Sequence, residues 1–293
     1  EGLNTVASGL DFERGDEVLF SPFEDRYALS CFEPVAERAG IRLNVVHLPV
    51  PPTADQVVEA FAKRMTRNTR LLCVSHIVDS WGFVLPVERL AKLAHDAGAQ
   101  ILVDGALSFG HVPVDMRALG CDYYATSLHK WLNAPLGTGA LYVRGDRIED
   151  LWPLYGVRTD ASDITKFERI GTRDGAAVAA IGQAIDFYEQ IGPERKATRL
   201  KYLLERMIAG LSDMPGVRIV TEPDPERRAG LARVVVDGYT GKDLTKTLLD
   251  EYGFFVYGNF PGELDGVYVS PNVFNSSGDI DRFVAAVADI AQS

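Results

Sequence analysis

The sequence predicts an α/β protein: a large domain built on a mainly parallel sheet, followed by a smaller α/β domain. Two patterns predict it. In the first half of the chain, uninterrupted apolar runs alternate with stretches of helical period. Strands that are apolar on both faces belong to sheets covered by helices on both sides, and such sheets are mainly parallel. In the second part, a long helical tract precedes short strands mixed with helices, as in a separate small domain. No Gly-x-Gly-x-x-Gly follows the first strand, which sets aside a simple dinucleotide-binding fold. The division is placed between residues 1–175 and 176–293.

Taken in order, the strands of the large domain are expected at residues 17–20, 42–48, 71–75, 101–103, 123–125 and 140–143. Helical periodicity fits residues 27–39, 54–63 and 87–97 between them. Pro51-Pro52-Thr53 stops one segment and caps the next, and Gly40 and Gly98 end helices. Beyond residue 175, a helix over 176–191 is broken by Gly192-Pro193 and resumes over 194–211. Strands are expected at 217–220, 233–236, 254–257 and 267–269, with helices near 242–251 and 280–291. Arg227-Arg228, after Pro225-Glu226, reads as a solvated turn. No internal repeat or low-complexity tract is present.

With 46% hydrophobic residues among 293, the chain can bury a large core and a smaller one. A net charge of −11 argues against a nucleic-acid or anionic-membrane surface, because no basic stripe is available to neutralise phosphates. No apolar run is long enough to span a bilayer. Cys31, Cys73 and Cys121 sit among apolar neighbours without metal spacing, so no metal site is expected. They read as core residues of a reducing, cytoplasmic compartment.

The chemistry lies at two strand ends. Asp104 closes the apolar run Ile101-Leu102-Val103, and Lys130 follows the later run that ends near Ala125. A carboxylate at the carboxyl end of one buried strand and a lysine after a later one is the layout of a pyridoxal-phosphate (PLP) site. The amine forms a Schiff base with the cofactor aldehyde, and the carboxylate pairs with the pyridinium nitrogen. Ser127 and His129 flank the lysine with donors suited to a phosphate.

These residues carry a resemblance. Asp104-Gly105-Ala106, Ser127-Leu128-His129-Lys130-Trp131-Leu132, Ala134-Pro135 and Gly137-Thr138-Gly139 resemble the class V aminotransferase group of fold type I PLP enzymes. The branch they most resemble is the isopenicillin N epimerase-like one. Gly171-Thr172-Arg173-Asp174, Ser270-Pro271, Phe274-Asn275 and Asp279-Ile280-Asp281 extend the likeness along the chain. It implies a homodimer in which Thr172 reaches the phosphate of the neighbouring subunit; the alternative for Thr172 is a helix N-cap. It also implies an N-terminal segment preceding Glu1 that is absent here.

The departures concern the pocket. Where the family stacks an aromatic or His on the ring after a Glu, this chain has Asp25 after Glu24, leaving Phe23 or Tyr27 to stack. Leu107 replaces a His or Gln near the cofactor O3′, and Asp79 and Trp81 lie where the family lines that oxygen. Tyr268 stands where the branch carries an arginine that forks onto the substrate carboxylate, and Tyr257 also takes a place that is often Arg. A phenol cannot replace a bidentate guanidinium. Arg26 or Arg158 is then left to clamp the carboxylate. The resulting expectation is an enzyme working at Cα of an amino-acid-like, specialised-metabolite substrate. It leans to a β-eliminating lyase, such as one cleaving the C–S bond of a cysteine conjugate. Transamination or epimerisation is the alternative, and a non-catalytic PLP-fold protein is the alternative of another class. Cysteine desulfuration is disfavoured, since no cysteine lies in a polar loop of the C-terminal half.

Overall fold

The computed structural model describes residues 1–24, 26–49, 51–79, 81–156, 160–258 and 265–292. The chain divides into two units, Glu1–Ile77 with Leu85–Gln190, and Val78–Val84 with Ile191–Ser293. The long helix beginning at Gly175 thus goes almost entirely with the first unit, and the division falls between Gln190 and Ile191, just before Gly192, which takes a φ of +90°.

The first unit opens with α1 (Gly2–Gly9), β1 (Glu17–Phe20), α2 (Arg26–Ala39), β2 (Arg42–Val45), α3 (Ala54–Arg64) and β3 (Thr69–Ser75). It continues through α4 (Val87–Asp96), β4 (Gln100–Asp104), α5 (Met116–Leu119), β5 (Tyr123–Ser127), β6 (Gly139–Val143) and α6 (Gly175–Ile191). The strands form one sheet in the order β2-β1-β3-β4-β5-β6. Every pairing is parallel except β5 with β6. The central strands carry the continuous apolar runs: β1 is buried throughout, as is β3 apart from Arg70. The edge strand β2 is mixed, and it pairs only as far as Val45, short of the expected residue 48. One core joins Val18, Phe20, Leu71, Cys73 and Leu102 to Phe32 and Val35 of α2. Thr53 caps α3 in a reciprocal box with Gln56, as the Pro-Pro-Thr run predicts.

The second unit contains α7 (Pro193–Leu211), β7 (Val217–Val220), β8 (Ala232–Val236), α8 (Gly241–Tyr252), β9 (Val267–Val269) and α9 (Ser277–Gln292). Its sheet, β7-β8-β9, is antiparallel. One face, with Ala232, Val234, Val236, Val267 and Val269, packs on apolar side chains of α7, α8 and α9. The strand expected at 254–257 is not formed. Gly253 ends α8 in the left-handed region, and the Phe254 N–H is used to close that helix on the Leu248 carbonyl. Only Tyr257 bridges, to Tyr268.

The Val78–Val84 segment joins this unit through main-chain bonds. The Val84 N–H donates to the Arg227 carbonyl at 2.9 Å, and the Ala229 N–H to the Gly82 carbonyl at 2.7 Å. Gly82 has a φ of +74°, and a Cβ there would stand 2.5 Å from the Leu231 carbonyl oxygen, so the approach requires glycine. The same contacts overturn the solvated reading of Arg227-Arg228. Arg228 is buried and donates to Glu205, to the Glu222 carbonyl and to the Pro223 carbonyl, while Arg227 pairs with Glu222 and Asp224.

Candidate active site

Four parallel strands of the first unit end together. β1 leads into Ser21, Phe23 and Glu24; β3 ends at Ser75, followed by His76; β4 ends at Asp104; and β5 ends at Ser127, three residues before Lys130. Ligands of open α/β sheets collect at such carboxyl ends. Asp104 is held from both sides: it pairs in register with Ser75 of β3 and with Ala125 of β5. Its carbonyl accepts the His76 N–H at 2.8 Å, and its side chain accepts the Ala106 N–H at 2.9 Å.

The next residue has to be glycine. A Cβ on Gly105 would lie 2.0 Å from the Tyr124 ring. That ring belongs to a buried polar triad in which the Tyr124 hydroxyl lies 2.5 Å from Ser108 Oγ and 3.3 Å from His76 Nδ1. Burial pushes the His76 imidazole down to about 4, so this histidine is neutral at physiological pH. Burial also pushes the Tyr124 phenol up.

The lysine turn is anchored by its apolar residues. Leu128, Leu132 and Ala134 are buried in a cluster with Ala184 of α6, while the side chain of Lys130 is exposed. The Leu128 N–H donates to the Thr138 carbonyl and the Ala134 N–H to the Leu128 carbonyl, each at 3.0 Å. Asn133 takes the left-handed conformation, φ +62°, that closes the turn. The Lys130 ammonium makes no hydrogen bond or ion pair with a described residue. His129 Nδ1 lies 3.0 Å from the Thr138 carbonyl oxygen, and a carbonyl only accepts. Nδ1 therefore carries a proton, and Nε2 can donate to an anion only when the ring is doubly protonated.

Thr172 is exposed just before α6 and does not cap it; the capping role belongs to Asp174, which accepts the N–H groups of Ala176 at 2.9 Å and Ala177 at 3.3 Å. Arg173 reaches Glu1 at 3.1 Å. Phe23 lies half-buried in the loop after β1, and its N–H donates to Ser21 Oγ at 3.3 Å. Tyr27 is 78% exposed. Asp25 and Arg158 lie outside the described residues.

Four of the expected residues belong to the second unit. Asp79 and Trp81 lie in the Val78–Val84 segment, with Trp81 buried. Tyr257 and Tyr268 are joined by the bond from the Tyr268 N–H to the Tyr257 carbonyl at 2.7 Å. Both line a cleft of about 190 Å³ with Phe254, Phe255 and Val269. The Tyr268 hydroxyl is buried without a hydrogen-bond partner among the described residues, and burial pushes its phenol well up, with the charge of Asp79 adding to it. Directly across from it in register is Arg233, buried on the face of β8 opposite the core. Burial pulls the Arg233 guanidinium below its ordinary value, against the charges of Asp79 and Asp265.

The sequence reading passed over Arg233, although an arginine inside Leu231-Ala232-Arg233-Val234-Val235 was a visible signal. It also passed over Glu24 as a functional group. The Glu24 carboxyl sits at the ends of β1 and β3 and accepts from Ser21 Oγ at 2.5 Å, the Ser75 N–H at 2.9 Å and Ser75 Oγ at 2.6 Å.

The donor set suits pyridoxal phosphate. It offers an exposed amine without a counter-ion among the described residues, a carboxylate fixed at a strand end, and the Ser127 hydroxyl and His129 ring near it in sequence. Residues 1–259 match the family model described as Aminotransferase class-V. The isopenicillin N epimerase of Streptomyces clavuligerus is 31% identical, over 97% of this chain and 76% of its own length. A probable cysteine desulfurase of Vibrio cholerae is 30% identical, over 98% of this chain and 75% of its own. Among solved structures, the apo cysteine desulfurase of Thermococcus onnurineus NA1 has a TM-score of 0.88 at 25% identity, covering 99% of this chain and 77% of that one. A C-DES mutant with glycine covalently linked to its PLP cofactor has a TM-score of 0.85 at 25% identity, covering 98% and 78%. The chain belongs to the class-V aminotransferase family and is a pyridoxal 5′-phosphate-dependent enzyme of fold type I.

Proposed function

We propose that this enzyme holds pyridoxal phosphate on Lys130 and acts at Cα of an amino-acid-like substrate as a β-eliminating lyase, for example on the C–S bond of a cysteine conjugate. The observation that carries the reading is the exposed Lys130 amine, unpaired among the described residues, one strand over from Asp104. When bound, the cofactor supplies an electron sink for the pair released at Cα. Asp104 would supply the negative charge beside the ring nitrogen. Ser127 donates to the phosphate, and His129 does so through Nε2 in its doubly protonated form. Lys130 first holds the cofactor, and its released amine then moves the Cα proton as base and acid.

Phe23 would be the residue to stack on the ring, and Asp79 would border it. Trp81, Tyr257 and Tyr268 would form the substrate side, with Arg158, outside the described residues, as the expected carboxylate clamp; the shared cleft of the two tyrosines supports their assignment. Cysteine desulfuration is again disfavoured: Cys73 and Cys121 are buried with thiols pushed up by burial, and Cys31 lies on α2 of the first unit. The epimerase relatives, at 31% and 32% identity, favour epimerisation as the second reading.

Thr172 serves the phosphate of a second copy in a homodimer. Two observations support this: Thr172 is exposed and freed from capping, and α6 beside it buries only Ala184 among its described residues. The three free cysteines fit a cytoplasmic protein. The reading is tested by borohydride reduction of the coloured protein followed by peptide mapping. The phosphopyridoxyl group is expected on Lys130; label on a different lysine alone overturns the assignment.

A further inference from the structure

Four donors converge on the carbonyl that follows Asp104. The Gly105 oxygen accepts Thr126 Oγ1 at 2.9 Å, Ser108 Oγ at 3.2 Å, and the N–H groups of Ser108 at 3.1 Å and Phe109 at 3.2 Å. That oxygen and the Ala106 N–H belong to one planar peptide and point to opposite sides of it. Fixing the oxygen therefore fixes the direction of the N–H, and this N–H donates to Asp104 Oδ1 at 2.9 Å. The near side of Gly105 is held as well, since its own N–H donates to the Ala125 carbonyl at 2.7 Å.

Behind that peptide stands the triad of Ser108, Tyr124 and His76, and its hydrogens run in one direction. A carbonyl only accepts, so Ser108 Oγ spends its single hydrogen on Gly105. Across the 2.5 Å contact with Tyr124, Ser108 then accepts and the phenol donates. With the phenol hydrogen used, the Tyr124 oxygen accepts from His76 Nδ1 at 3.3 Å, which makes His76 the Nδ1–H tautomer. All three residues are buried, so water does not replace a missing partner. His76 is tied to the same strand end, donating its N–H to the Asp104 carbonyl at 2.8 Å. The Tyr124 ring fills the space beside Gly105, where a Cβ would stand 2.0 Å from it.

We propose that Ser108 and Tyr124 are positioning residues that aim the Asp104 carboxylate through the Gly105–Ala106 peptide. Removing the Ser108 hydroxyl takes a donor from the Gly105 oxygen. Removing the Tyr124 hydroxyl leaves Ser108 Oγ free to turn away from that oxygen. In either case the strand pairing of Asp104 survives, while the N–H that orients its side chain is held less firmly. Only the consequence for the cofactor rests on the reading of Asp104 as the partner of the ring nitrogen. A carboxylate that wanders keeps the ring proton less well. Without that positive charge on the ring, the lysine–cofactor linkage holds its own proton to higher pH.

The test compares the holoprotein with Ser108→Ala, Tyr124→Phe, the two changes together, and Asp104→Asn. Two signals are read: exchange of the Ala106 amide hydrogen by NMR, and the pH at which the visible band of the lysine–cofactor linkage titrates. Each single change should speed Ala106 exchange about 2–10-fold, with the Leu102 amide inside β4 as in wild type. Each should also move the titration upward by part of the shift that Asp104→Asn gives. The combined variant should do no more than Ser108→Ala, because both changes break one chain. A lower unfolding temperature with unchanged Ala106 exchange overturns the proposal, since the triad is then core packing alone. Additive effects in the combined variant overturn it too, as does a titration moved by Asp104→Asn and by neither single change. If Tyr124→Phe does not fold, Ser108→Ala, which removes one oxygen, decides by itself. Faster Ala106 exchange with a titration that no variant moves, Asp104→Asn included, would keep the positioning role and remove Asp104 from the ring nitrogen.

Discussion

Asp104 holds its place through main-chain bonds on both flanks, so its charge can be removed without moving the strand. Asn at this position still accepts the Ala106 N–H but cannot supply a charge-assisted partner to a protonated ring nitrogen. The charge-assisted increment is of the order of 1.5–3 kcal/mol, so Asp104→Asn should fold normally and lose at least about tenfold in turnover. Circular dichroism and steady-state rates on any accepted amino acid check it; near-wild-type turnover would make this carboxylate structural. The order of the proposed pair can be read locally, because Asp104 ends one apolar run and Lys130 follows shortly after the next. The setting of Glu24 cannot, because it depends on Ser75, which lies 51 residues away and meets it only once β1 and β3 are paired. Arg233 was hidden in the same way: only the register of β8 with β9 puts it against Tyr268.

At the scale of elements, the sequence located the helices and the central strands because uninterrupted apolar runs and caps are local signals. It erred where a backbone group had two possible uses. Residues 254–257 look like a strand, yet the Phe254 N–H is consumed by the end of α8. Arg227-Arg228 look solvated, yet carbonyls and carboxylates brought together by the Val78–Val84 segment and α7 enclose them. The start of α6 is a place where two neighbouring polar residues have separate tasks. Asp174 is its cap, so Asp174→Ala should cost about 0.5–2 kcal/mol of stability. Thr172→Ala should leave the denaturation midpoint in place and increase loss of pyridoxal phosphate on dialysis. Equal effects of the two substitutions on stability would return Thr172 to a capping role.

For the whole molecule, α6 raises the question of what covers it. The helix is largely apolar, yet Val178, Ile185 and Phe187 are 58%, 40% and 49% exposed. Val178 and Ile185, seven residues apart, lie on one face of the helix, and exposed apolar side chains sharing a face are what an interaction site presents. A second copy is the simplest partner, because an isologous contact serves both sites at once: each Thr172 would meet the other subunit's phosphate in the same way. The net charge of −11 does not prevent this, since the face of α6 carries Asp186 and Glu189 as its only acidic residues and the contact is made by apolar side chains. Ile185→Glu places a charge on that surface without disturbing the first unit's core clusters, which do not include Ile185. Wild-type protein should sediment at twice the chain mass, and the variant at the chain mass with unchanged circular dichroism. The monomer should also retain pyridoxal phosphate poorly, because each site would lack the hydroxyl that its neighbour supplies. A monomeric variant that keeps cofactor as tightly as wild type would separate the two ideas, leaving α6 as the interface and each site complete within its own chain.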